Sequence, residues 1–562
     1  MSLWVAKGLL SRRAKPSHSR LLLQTPQIFS SALLAIAVMS APQLFSSSAR
    51  AGGAIDVPSR ASQPAAIDGN LTRVSLIDLV KSSRSPCIVV SNALIRCDGP
   101  LELNSLTRTL VNGDGVHIEF TNSLPKKGGI LLHTASEVVL SHFEISWLGG
   151  GARDPILRGV QRIQSLGQVI ACAAHEQGGA ISLDLPLEGA QPIGSISVWD
   201  DSLGWPWYPS APITPEVSFP TGTSANFSAG RSGCSPRLAA FVGHRILLRH
   251  LKASDAALEC SHCSNITVEE VRITSAPGMG FVFNNDNLNI SLIGNRIEPR
   301  CAPDCSLAEP SIAADAAHFS DATGEILIEG NDFGWQGDDG INVTGSLVPA
   351  TLGVREAGTE RWLTVSETWR ARLDLLAVGD SVQIFNEGLS SLGQAEVLAL
   401  EPAAGRLLLS WLPPGQSNLV LARSDEIPRN VVIRGNYLHD NRARAILIGG
   451  SDALIEHNTI NRVTMEAILV PADTNTWYEG PGAQDVKITS NIISDVNRYP
   501  AAPYPSAISA GVSINPIYVG VVGTPIKNIE VKGNAFSNVY SNASRLVSIG
   551  RGVSETGGQV NP

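Results

Sequence analysis

Val431-Val-Ile-Arg-Gly-Asn436 and Leu454-Ile-Glu-His-Asn458 share one phrase: a short apolar, β-branched run, a small or polar residue, then Asn. The phrase recurs at Ile290-Ser-Leu-Ile-Gly-Asn295, Ile326-Leu-Ile-Glu-Gly-Asn331, Val486-Lys-Ile-Thr-Ser-Asn491 and Ile529-Glu-Val-Lys-Gly-Asn534. Asn436 and Asn458 are 22 residues apart. A period near 22 with alternating strands predicts an all-β solenoid, a parallel β-helix, because one coil cannot bury its apolar face alone and must stack on the next. Asn suits the bend: it tolerates the left-handed region, and its amide can pair with the Asn of the next coil. A leucine-rich repeat has a similar period, but these copies lack its Leu spacing and no helical segment recurs between them.

Two stretches break the period. Asn331 and Asn436 are 105 residues apart, and the interval holds Trp362-Leu-Thr-Val, Asp380-Ser-Val-Gln-Ile-Phe, Ala395-Glu-Val-Leu-Ala-Leu and Arg406-Leu-Leu-Leu-Ser-Trp. Strands separated by turns predict a small β-barrel or sandwich at 345–428, since a structureless loop of that length is uncommon. A second irregular region, 152–236, carries Gly194-Ser-Ile-Ser-Val-Trp-Asp and Trp205-Pro-Trp-Tyr-Pro and reads as another inserted β module. The coils then occupy 52–151, 237–344 and 429–562. Insertions that leave one side of a solenoid tend to wall its binding face.

Composition agrees with a turn-rich β protein of 562 residues: 43% hydrophobic, 17% charged, Gly 52 and Pro 34. The net charge of −9 and only 9 Lys argue against a nucleic-acid surface, leaving a neutral, polar ligand as the easier partner. Residues 1–51 read as an export signal: Arg12, Arg13, Lys15 and Arg20 precede an apolar stretch from Ile28 to Met39, and Ala49-Arg50-Ala51 is a small-residue cleavage pattern. The stretch is too short for a stable membrane span, which takes ~20 residues, so the expected location is secreted, periplasmic or cell-surface. Eight cysteines follow the leader. Local disulfides are expected, Cys301–Cys305 and Cys87–Cys97 first; Cys260-Ser-His-Cys263 reads alternatively as half a zinc site, a redox motif or buried thiols.

The densest acidic constellation is Asp315-Ala-Ala-His318 and Gln336-Gly337-Asp338-Asp339-Gly340-Ile-Asn342-Val. Asp338 follows Asp315 by 23 residues, about one coil, so stacking brings three carboxylates together at roughly the ~4.8 Å spacing of adjacent strands. Strand alternation would send Asp338 and Asp339 to opposite faces; Gly337 and Gly340 permit a bulge that turns both outward. Crowding of like charges keeps one acid protonated beside ionised neighbours, the division of labour that glycosidic cleavage needs. An acidic surface turn or a calcium site fits the same spacing.

With Asn441-Arg-Ala-Arg444-Ala-Ile-Leu-Ile and Thr476-Trp477-Tyr-Glu479-Gly-Pro added, these motifs resemble glycoside hydrolase family 110 in order and spacing over roughly 240–540. The resemblance implies a right-handed parallel β-helix with inserted barrel modules and an inverting exo-α-galactosidase that needs no cofactor or metal. It implies a catalytic group of Asp315, Asp338 and Asp339. By similarity to the polygalacturonases of family 28, Asp338 is the general acid, while Asp315 and Asp339 orient and deprotonate water. His318 becomes an expected sugar contact or the holder of Asp315, Arg444 a substrate or carboxylate clamp, and Trp477 and Glu479 expected substrate contacts; the expected partner is a glycan with terminal galactose. The chain departs from the family where Thr344-Gly345 replaces the usual His-Gly. Two other readings compete: a calcium-dependent polysaccharide lyase using an Arg or Lys base, and a non-catalytic glycan-binding or surface β-helix.

Overall fold

A computed structural model of the chain describes residues 71–83, 85–121, 128–149, 164–172, 179–187, 195–200, 205–211, 222–227, 242–243, 245–250, 255–300, 310–353, 362–424, 427–474, 477–497, 510–516, 525–539, 547–549 and 553–554. The expected export segment 1–51, the Cys301–Cys305 pair and Thr476 lie outside the described residues.

The repeat phrase folds as anticipated, into a parallel β-helix whose strands stack in three columns. The first column runs through Leu258–Ser261, Phe281–Asn284, Ala317–Ser320, Ile341–Ser346, Ile446–Ile448, Ile468–Ala472 and Val512–Pro516. The second runs through Ser264–Glu269, Leu288–Ile293, Thr323–Glu329, Val431–Arg434, Ala453–Glu456, Gln484–Thr489 and Ile526–Lys532. Short strands after the Asn corner, such as Asp332–Gly334 and Tyr437–His439, form the third.

Alternate residues point inward. Val431 and Ile433 are buried while Val432 and Arg434 are partly exposed. Pairing places Ile290, Ile326, Val431, Ala453, Val486 and Ile529 above one another in a continuous apolar row. Such rows bury each coil against two neighbours, and burying one Val, Leu or Ile side chain contributes about 1.5–3 kcal/mol. Phe283 and Phe319 extend the first column's row by stacking, ring centroids 4.9 Å apart.

The Asn ladder holds the corner. Asn436 donates its side-chain amide to Asn458 Oδ1 and Ile328 O, both at 2.9 Å, and its Oδ1 accepts from the Asn331 backbone N–H and amide, also at 2.9 Å. The same exchange links Asn295 to Asn331, Asn458 to Asn491 and Asn491 to Asn534. One expectation is corrected: the left-handed residue is the one before each Asn, with φ of 65°, 64° and 63° at Gly294, Gly330 and Gly435. The left-handed position is Gly at four of the six corners, His457 and Ser490 taking it at the other two with φ of 53° and 55°, and Asn supplies the amide, a division that frees every Asn side chain to face inward.

Between Ile341–Ser346 and Val431–Arg434 the chain builds a closed six-stranded antiparallel barrel from Val348–Leu352, Trp362–Thr364, Ser381–Phe385, Ser391–Glu401, Arg406–Leu409 and Asn418–Arg423. It has its own core, including Leu363, Leu373, Val382, Ile384, Val397, Leu407 and Leu421. The solenoid resumes in register across the insertion, with Ile341 paired to Ile446 and Ile326 to Val431. In the earlier irregular region, Gln164–Cys172, Gly179–Leu187, Ser195–Asp200, Trp205–Ala211, Gly222–Phe227 and Arg245–Arg249 form a six-stranded antiparallel sheet.

Cys87 and Cys97 face each other across an antiparallel pair and form a disulfide. Cys260 and Cys263 are buried free thiols, which corrects the disulfide reading there. No third ligand joins them: among the described residues, only Asp315, Asp338 and Asp339 group as His, Cys, Asp or Glu within metal reach. Among the described residues no helix is long and apolar enough to cross a membrane.

Candidate active site

Register assembles the site. Ala317, Ile341, Ile446 and Ile468 pair in sequence down the first column. The residues two positions earlier are Asp315, Asp339, Arg444 and Glu466. Consecutive coils thus present acid, acid, cation and acid at one structural position, tied by Ala316 N–H to Asp339 O and Gly340 N–H to Arg444 O, both 2.9 Å. Gly340 is required by close approach: a Cβ there would lie 2.5 Å from Ala445 O.

Asp338 and Asp339 precede the strand Ile341–Ser346, so strand alternation does not apply and no bulge is needed, contrary to the sequence expectation. Oxygens of Asp315, Asp338 and Asp339 all lie within 4.8 Å of one another. Each carboxylate is held differently. Asp315 accepts from His318 Nδ1 at 2.8 Å and from the Asp339 N–H at 3.2 Å. Asp339 Oδ1 accepts from the Arg444 N–H at 2.9 Å and its Nη1 at 3.3 Å. Asp338 Oδ2 pairs with Arg442 Nη2 at 2.6 Å. Asp338 is also the accessible member, with 35% of its side chain exposed against 9% for Asp315 and 4% for Asp339.

Environment separates the protonation states. Burial pushes the Asp339 carboxyl up to about 8, and the Asp315 and Asp338 charges add to the rise while Arg444 opposes it. The site therefore holds a proton near neutrality. Burial pulls on the His318 ring in the opposite sense, but its bond to Asp315 and the charges of Asp315, Glu479 and Asp339 leave its pKa above the usual value. Arg444 is stabilised as a cation despite burial by Asp339, Glu466 and Asp338.

The segment after Ile468–Ala472 crosses back over the column. Glu479–Gly480 pairs antiparallel with Gly345–Ser346. Burial raises the Glu479 carboxyl; His318 and Arg444 pull it down, while Asp315 and Asp473 push it further up. Of the anticipated residues, Asp315, Asp338, Asp339, His318, Arg444 and Glu479 converge. Trp477, two residues before Glu479, is 59% exposed. Thr344, the departure from the family pattern, is buried and donates to Asn342 Oδ1 at 3.3 Å.

Sequence reasoning missed Arg442, Asn441 and Glu466. Arg442 sat unread inside the quoted Asn441-Arg-Ala-Arg444 motif; its guanidinium also donates to Gly337 O. Asn441 ties the two loops, donating to Asp338 O at 3.1 Å and Arg444 O at 2.7 Å. Glu466 follows Arg444 by 22 residues, the coil period itself, and that spacing would have found it. It is 3% exposed, and burial raises its carboxyl against the pull of Arg444. The three aspartates could hold a divalent cation by distance alone, but two guanidiniums already engage them, which works against a third cation.

No protein-family profile matches the chain. Alpha-1,3-galactosidase B of Phocaeicola vulgatus is 25% identical over 248 residues, 41% of this chain and 41% of that protein. Alpha-1,3-galactosidase A of Shewanella woodyi is 25% identical over 320 residues, 56% of this chain and 50% of that protein. Alpha-1,3-galactosidase B of Akkermansia muciniphila is 29% identical over 187 residues, 32% of this chain and 23% of that protein. The chain thus spans half or less of the length of these relatives. Among solved structures, the catalytic domain of an alpha-1,3-glucanase gives a TM-score of 0.32 at 10% identity, covering 88% of this chain and 60% of that one. A mannuronan C-5 epimerase module from Azotobacter vinelandii gives 0.27 at 11% identity, covering 83% and 91%. Superpositions this loose say nothing of chemistry. By its motifs and by its curated relatives, the chain resembles the α-1,3-galactosidases of glycoside hydrolase family 110.

Proposed function

We propose that the chain is an exported glycoside hydrolase that releases terminal α-linked galactose from glycans, without a cofactor. The observation that carries the reading is a trio of carboxylates with oxygens within 4.8 Å, one of them pushed up to about 8 by burial. The resting proton sits on Asp339. On sugar binding it passes to Asp338, the accessible member, which donates it to the departing glycosidic oxygen. Asp315 and the newly ionised Asp339 then hold the attacking water and take its proton, with His318 keeping Asp315 oriented. Arg444 and Glu479 supply a donor fork and an acceptor for sugar hydroxyls, and Trp477 an apolar face.

The resemblance implies inversion, whereas general inverting sites keep acid and base about 6.5–9.5 Å apart and retaining ones about 5–5.5 Å. One oxygen of each carboxyl lies within 4.8 Å of one oxygen of the others, a distance between nearest atoms rather than between carboxyl groups. One experiment tests both activity and course: incubation with aryl α-galactosides and α-1,3-galactosyl oligosaccharides, with the released anomer followed by NMR. β-Galactose appearing first establishes inversion, and α-galactose first establishes retention. The distances that would admit a cation keep the lyase reading testable in the same assay: chelator-sensitive activity with unsaturated products would replace the hydrolase. Absence of any product from galactose-terminated glycans would leave the non-catalytic binding reading.

A further inference from the structure

The loop that carries Trp477 and Glu479 is closed on itself. Asp473 donates its N–H to Glu479 O at 2.8 Å, and its Oδ2 accepts the Trp477 N–H at 2.9 Å. From the far side the barrel grips the same loop. Arg372, in the short 3₁₀ turn Arg370–Leu375, donates Nη2 to Trp477 O and Nη1 to Tyr478 O, both at 2.7 Å, and Nη1 also to Leu347 O. Its guanidinium lies 4.5 Å from the centroid of the Trp369 ring, and Trp369 meets Tyr478 edge-on at 5.0 Å. A second tie comes from Thr474 Oγ1 to Glu387 O of the barrel at 3.1 Å.

The hydrogen bonds of this guanidinium go to main-chain carbonyls, while Asp321, Glu479 and Asp473 supply its compensating charge from nearby. Surface arginines more often pair directly with a carboxylate. A fork that joins carbonyls from two segments specifies backbone position, and Lys, with a single ammonium on a flexible stem, cannot reproduce it. The consequence falls on Trp477. Its N–H and C=O are both fixed, yet the residue is 59% exposed, two positions before Glu479. Tyr478 packs against the barrel, and Glu479 is electrostatically coupled to His318.

We propose that Arg372 is a positioning residue: it locks the Trp477–Tyr478 backbone so that the Trp477 indole stands as a preformed platform for the apolar face of a pyranose ring. The binding role rests on the glycosidase reading above; the clamp itself does not. A platform ordered before binding spares the ligand the cost of ordering it, so its loss weakens binding more than chemistry.

The test compares Arg372→Lys, Arg372→Met, Trp477→Ala and the Arg372→Met/Trp477→Ala double variant, each checked for native thermal unfolding. Hydrogen exchange of the peptide over 477–483 should speed at least about tenfold in both Arg372 variants and stay unchanged in Trp477→Ala. With an α-galactosyl oligosaccharide, Arg372→Met and Trp477→Ala should each raise KM about tenfold with kcat changed less than about threefold. The double variant should cost no more than either single change, because both remove one platform. Unchanged exchange in Arg372→Met overturns the clamp. Faster exchange with an unaltered KM, or fully additive effects on KM, overturns the platform role while leaving the clamp. If the unaltered protein turns over no galactoside, the glycosidase reading and the platform role fail together, and the exchange data alone decide the clamp.

Discussion

If the trio works by sharing one proton, its activity must fall as that proton is lost. The Asp339 carboxyl, held up to about 8 by burial, is about nine-tenths protonated at pH 7 and about one-tenth at pH 9. For an oligosaccharide with a poor leaving group, kcat/KM should therefore drop about tenfold between those values, approaching tenfold for each further unit. An activated aryl α-galactoside needs less protonation and should show a shallower alkaline limb. Substitution sharpens the comparison. Asp338→Asn keeps the shape and cannot deliver a proton, so it should lose on the order of 10² to 10⁴ in rate on the oligosaccharide and less on the aryl substrate. Asp315→Asn should slow both substrates alike, because water must attack whatever the leaving group, whereas Asp339→Asn removes the stored proton as well as a water-holding group and should slow both, the oligosaccharide more. The assay is initial rate against pH for both substrates with each variant. A profile flat from pH 6 to 10 refutes the shared proton. Equal losses for Asp338→Asn on both substrates, with leaving-group dependence in Asp339→Asn, reverse the assignment. If no variant loses tenfold, the patch is not the catalytic site.

Arg444 opposes the rise at Asp339, so Arg444→Gln should move the alkaline limb to higher pH as well as lowering kcat/KM; a limb that stays in place shows that Arg444 does not set that carboxyl. Asn436→Ala leaves buried partners unmatched on both neighbouring coils, at about 1–3 kcal/mol for each, so unfolding in urea should show a loss of about 3–5 kcal/mol; under 1 kcal/mol would mean the ladder is decorative. His439 bridges Asp332 at 3.0 Å and Asp440 at 2.8 Å, and these partners outweigh burial to lift its pKa to about 9. Because the folded value exceeds the unfolded one of about 6.5, its stabilisation is fully present below pH 6.5 and lost as pH rises through about 9. That contribution is on the order of 3 kcal/mol, and His439→Gln should flatten the pH dependence of Tm across this window.

The fold was legible because a solenoid writes its core as a period. Six Asn-terminated phrases named the second column and its corner, and the long gap after Asn331 announced an insertion rich in strands. The details that escaped were set by contact rather than by period. Nothing in Asp338-Asp339-Gly340 says that the pair precedes its strand, and Gly340 is demanded by Ala445 of the next coil, not by a bulge. Cys260 and Cys263 are three residues apart and enclosed in the core, so proximity alone misled the disulfide reading, whereas Cys87 and Cys97 face each other across an antiparallel pair.

The site was only half legible for a related reason. Asp315 and Asp338 announce themselves because one uninterrupted coil separates them. Arg444 stands 105 residues from Asp339, yet the two are nearest neighbours, since the solenoid resumes on the strand it left. Insertion at that point leaves the stack's geometry intact, because the vertical step between coils is fixed by strand pairing near 4.8 Å whatever is threaded between them. What the barrel adds is lateral: it rises beside the column where Asp339, Arg444 and the returning Glu479–Gly480 strand meet, and reaches across through Arg372. The charge order acid, acid, cation, acid is thus a property of coil position, readable by aligning the residues two places before each first-column strand. The rim that would select a substrate belongs to the insertion and to the loop it grips, and no repeat encodes them.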